Sequence, residues 1–86
     1  MPEITQSLVD YIKEHIGQDG IDQFRKIKDV HGRLDAVWME GAIPHCVHFR
    51  EGMQIRNLMR TSGLCEGWDD IDLDNHWMSV VEKCIV

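Results

Sequence analysis

Positive charge is nearly missing from the last third of the chain. Beyond residue 60 only Lys83 is basic, against Glu66, Asp69, Asp70, Asp72, Asp74 and Glu82, and the formal net charge over all 86 residues is −6. That balance disfavours direct nucleic-acid binding, because affinity for a phosphate backbone comes largely from Lys and Arg. No apolar run approaches the length of a membrane-spanning helix, so no membrane partner is expected. The three cysteines, Cys46, Cys65 and Cys84, form no CxxC pair and are odd in number. Reduced thiols and a cytoplasmic location are the simpler reading. No apolar signal segment follows Pro2-Glu3. A glycine-rich phosphate loop and a nucleophile elbow are also missing, so no motif points to an enzyme and no cofactor is expected.

Hydrophobic residues at 43 % and charged residues at 28 % suit an ordinary folded domain. The length predicts a single domain over 1–86 with a thin core. Apolar residues recur at helical spacing: Ile4, Leu8, Ile12 and Ile16 in a helix from Met1 to Gly17, with Pro2 at its first turn. Asp19 is the expected cap of a second helix carrying Ile21, Phe24, Ile27 and Val30, broken or kinked at Gly32 and ending near Gly41. A third is expected from Pro44 to about Thr61, where Gly52 would let another helix approach closely. Asp72 or Asp74 caps a last helix whose inward stripe is Leu73, Trp77, Val80, Val81 and Cys84. The sum is an all-α bundle of four to five short helices. The alternative is an α+β chain with a hairpin over about 25–39, turning at His31-Gly32.

Several residues are candidates for chemistry. His45, Cys46 and His48 are clustered as zinc ligands would be, but no second Cys/His pair accompanies them. Asp70, Asp72 and Asp74 match the first acids of a calcium loop, yet Asn75 and Val81 stand where that loop needs glycine and glutamate. The stronger candidate is a binding face on the third helix, with Phe49, Met53, Arg56, Asn57 and Arg60 in a row. Aromatic, Met and Arg side chains are enriched at protein interfaces. In the competing structural reading, Phe49 and Met53 pack on another helix while Arg56 and Arg60 pair with the acidic segment. That segment, Glu66 to Asp74, carries Trp68, Asp69 and Asp70 and could dock on a basic partner.

The stretch His48-Phe49-Arg50-Glu51-Gly52-Met53-Gln54-Ile55-Arg56-Asn57 resembles the H-F-x-x-G-M-x-I-R-N segment of a family of small, uncharacterised bacterial and phage-type helical proteins. Members often continue with G-L-W, where this chain has Leu58-Met59-Arg60. The resemblance implies that His48, Gly52, Arg56 and Asn57 act together. The expected function is a non-enzymatic protein-interaction module of the small inhibitor, immunity or adaptor type. Its partner would be another protein with a basic surface, or a second copy in a homodimer. A small zinc-binding protein using His45, Cys46 and His48 is one alternative. An enzyme subunit with a site completed only at an oligomer interface is another.

Overall fold

The computed structural model describes residues 3–86, so the expected role of Pro2 at a first turn lies outside the described residues. Its elements are α1 (Gln6–His31), β1 (Val37–Glu40), β2 (Ile43–Cys46), α2 (Glu51–Thr61) and α3 (Asp70–Ile85). The all-α expectation is therefore corrected: three helices and a two-stranded antiparallel hairpin make a small α+β fold.

The first two expected helices are joined across a kink at Gly17 into one element, α1. Thr5 caps α1 by accepting from the Leu8 N–H, and at Gly17 (φ 66°, ψ −179°) the backbone leaves the helical region, so the stop expected there is a break between two helical runs of α1. Leu8, Val9, Ile12, Ile21, Phe24 and Ile27 face inward on both sides of the kink. The helix stops at Gly32, and residues 37–40 leave as a strand.

The turn of the hairpin lies ten residues beyond the His31-Gly32 turn considered from sequence. It consists of Gly41-Ala42, with Glu40 paired to Ile43. Gly41 has φ 64° and Ala42 a negative φ. Glycine first in a two-residue loop is what a turn matched to strand twist requires. Apolar residues on both faces of β1 hide the alternation that marks a strand, so Val37, Trp38 and Met39 look like a helical continuation. Pro44 belongs to β2, and α2 begins only at Glu51.

The core lies among the helices. Leu8, Ile12, Ile55, Met59, Trp77, Val80 and Val81 are all fully buried, and the expected stripe on α3 is buried throughout. Among the described residues, no helix is long and apolar enough to cross a membrane.

Candidate functional site

Trp77 organises the contact between α2 and α3. Its indole N–H donates to His48 Nδ1 at 3.2 Å. Its six-membered ring lies flat on Gly52, where an added Cβ would stand 2.8 Å from Cζ2. One turn on, buried Arg56 holds Asp74 Oδ1 through Nε at 3.1 Å. His48, Gly52 and Arg56 thus meet α3 along one line, and the close approach expected at Gly52 is made by Trp77. Because His48 Nδ1 accepts from Trp77, the ring proton of the neutral imidazole sits on Nε2. Arg56 Nη1 lies 3.5 Å from that Nε2, a contact of two donors rather than a hydrogen bond.

The remaining arginine of the row is also engaged inside the chain. Arg60 donates to Asn57 Oδ1 at 2.9 Å and to Asp70 Oδ1 at 3.0 Å. Asp69 is the N-cap of α3, in place of the expected Asp72 or Asp74. It accepts from the Asp72 N–H, while the Asp72 carboxylate accepts from the Asp69 N–H. This capping box also sets two acids at the positive end of the helix dipole. Trp68 is half-buried, edge-on to His76. Four of the five acids in the 66–74 segment therefore have work within the fold, which accounts for the charge run without a partner.

The inner face of the hairpin is pinned by a stack. Trp38 lies between His31 of α1, at 4.5 Å, and His45 of β2, at 4.1 Å, with the three rings nearly parallel. His45 is buried, and both its nitrogens are taken. Arg50 donates to Nδ1 at 3.2 Å, so the Nε2–H donates to the Glu51 carboxylate at 3.1 Å. A histidine–carboxylate pair is a familiar acid/base device, but no lone pair here faces a substrate. The pair fastens β2 to the start of α2.

The three metal candidates are separated by this geometry. His45 faces inward, Cys46 stands on the opposite face of β2, and His48 turns to Trp77. Among the described residues, no group of three or more His, Cys, Asp or Glu side chains could hold a metal ion. A groove of about 660 Å³ between α1 and α2 is lined by Ile16, Phe24, Leu58, Gln54 and Asn57. The Thr61 hydroxyl at its end is donated to the Leu58 carbonyl.

Phe49 and Met53 do not pack on another helix: they are 66 % and 45 % exposed. Three large apolar residues of the hairpin are exposed as well. Val37 and Met39 pair with Cys46 and Pro44, so these four share the outer face of the hairpin. Val37 is 63 % and Met39 62 % exposed, and Ile43 stands out at the hairpin tip. Sequence reasoning missed Val37, Met39 and Ile43; the readable signal was Glu40-Gly41 between the apolar stretches Ala36–Met39 and Ala42–Pro44.

Thiol reactivity follows from the same map. Burial pushes the Cys84 thiol up to about 11, and its Sγ donates to the Val9 carbonyl. Burial also raises the Cys65 thiol. Only thiolate reacts, so native alkylation at pH 8 should label Cys46 first, Cys65 more slowly and Cys84 only on unfolding. Peptide mass spectrometry reads the order, and early labelling of Cys84 would contradict the core. For Cys84 the folded state favours the neutral thiol. Its stabilisation is complete below about pH 9 and fades as the pH rises towards 11.

No family model, curated protein or solved structure matches this chain.

Proposed function

We propose that the chain is a non-enzymatic protein-interaction module of the small inhibitor, immunity or adaptor type. Its docking surface is the outer face of the hairpin and the turn leading into α2. One observation carries the reading: Val37, Met39, Phe49 and Met53, exposed apolar side chains, all fall between residues 37 and 53, with Val37 and Met39 on the outer face of the hairpin. Exposed apolar surface gathered in one segment marks interaction sites more often than scattered single residues do. Arg56 and Arg60 hold α2, which carries Met53, against α3 through Asp74 and Asp70, with Asn57 steadying Arg60 and Asp69 capping α3. The formal charge of −6 favours a partner with a basic surface and speeds encounter with it.

Affinity capture with three immobilised baits tests the proposal: the wild type, V37E/M39E and F49A/M53A. The expected result is a protein held by the wild type and lost from both variants. Identical proteins on all three baits would overturn it.

A further inference from the structure

The register decides which backbone groups of the hairpin face outward. Pro44 has no N–H, so Met39↔Pro44 is a non-hydrogen-bonded pair. Trp38↔His45 and Glu40↔Ile43 are then the hydrogen-bonded pairs, and the Val47 N–H to Ala36 carbonyl bond of 3.1 Å continues the same parity. The N–H and C=O groups of Val37 and Met39 therefore point away from β2. Among the described residues, no backbone hydrogen bond outside the hairpin involves either one. The two edges differ. Proline blunts the outer edge of β2, whereas Val37 and Met39 give β1 neither proline nor charge, the usual guards against strand pairing.

Resting on the interaction reading above, we propose that the occupant of this edge is a second copy of the chain. Its β1 pairs antiparallel with β1 across a twofold axis at Trp38. In that register Val37 stands opposite Met39 of the partner subunit, and Met39 opposite Val37 of the partner subunit. Each of these pairs exchanges two backbone hydrogen bonds, so the outward groups of both residues are satisfied in both copies. The charges agree with this register. Glu40 falls opposite Ala36 of the partner subunit and Asp35 opposite Gly41 of the partner subunit, so no like charges face each other in a chain of net charge −6. The two hairpins become one four-stranded sheet, which relieves the marginal stability of an isolated two-stranded one. Val37, Met39, Pro44 and Cys46 from both copies then form one apolar face. The edge is short, so the dimer is weak and concentration-dependent.

Sedimentation equilibrium between about 1 and 300 µM tests this, with a dissociation constant expected on the order of 10–100 µM. Met39→Pro removes one outward N–H and leaves the hairpin's own bonds intact. It should weaken the dimer by about tenfold or more, with an unchanged circular dichroism spectrum as the check on folding. The charge variants test the register. V37E/M39E opposes Glu to Glu and should leave only monomer, whereas V37E/M39K opposes Glu to Lys and should restore association to within about threefold of wild type. A wild-type monomer at 300 µM overturns the second copy, and a dimer indifferent to these variants overturns the edge. Neither result touches the interaction reading if another protein is still captured through the hairpin; if that capture fails too, both fall.

Discussion

Trp77→Ala should remove about 3–5 kcal/mol of folding stability, the range for truncating a fully buried aromatic side chain. A domain of this length has roughly 4–13 kcal/mol in all, so much of the population would unfold under mild conditions. The size of the effect follows from what Trp77 touches. It has no exposed surface, it lies on Gly52 of α2, and its N–H is the donor to His48. Trp77→Phe keeps an aromatic ring but loses that donor and the outer part of the fused ring that lies on Gly52, which leaves a smaller cavity. It should cost less than the alanine variant, about 2–3 kcal/mol, most of it the cavity, because the half-buried His48 can turn to water. Urea unfolding of both variants gives the comparison. A loss under about 1 kcal/mol for the alanine variant would mean that α2 and α3 do not meet through this ring.

Gly52→Ala is the second large effect, and its sign is informative. On propensity alone the change would stabilise α2 by up to about 1 kcal/mol. Here the new Cβ would stand 2.8 Å from a buried indole with little room to move. Overpacking of this kind costs about 1–3 kcal/mol, so the net result should be destabilisation. In the Trp77→Ala background the obstacle is gone, and the same substitution should be neutral or stabilising. The difference between the two backgrounds is a coupling energy, expected at about 1–3 kcal/mol. Additive effects would place Gly52 away from Trp77.

The inward stripe of α3 was legible because it follows strict helical spacing, from Leu73 through Trp77 and Val80 to Cys84. Gly52 was legible for a related reason: a glycine in an apolar stripe invites a close neighbour. Asp69 was harder to choose as the cap, since acids recur at 69, 70, 72 and 74 and each can accept from a backbone N–H. The hairpin was obscured by its chemistry. Trp38 and His45 face the body while Val37 and Met39 face solvent, so the usual alternation of apolar and polar residues is missing. Pro44 added to the ambiguity, because proline suits both the first turn of a helix and an edge strand. Arg56 and Arg60 do pair with the acidic segment, as the structural reading of the row expected, but spacing alone could not choose Asp74 and Asp70 among its five acids.

The structural claim on which the functional reading rests is that residues 37–46 form a hairpin whose β1 edge is open. Residue-resolved amide exchange on dilute protein tests it directly. The account predicts an alternating pattern: Trp38, Glu40, Ile43 and His45 protected, Val37, Met39 and Cys46 exchanging fast. Uniform protection from 37 to 40 would indicate a continuing helix, and uniformly fast exchange from 37 to 46 would mean that no hairpin is formed; either result contradicts the account.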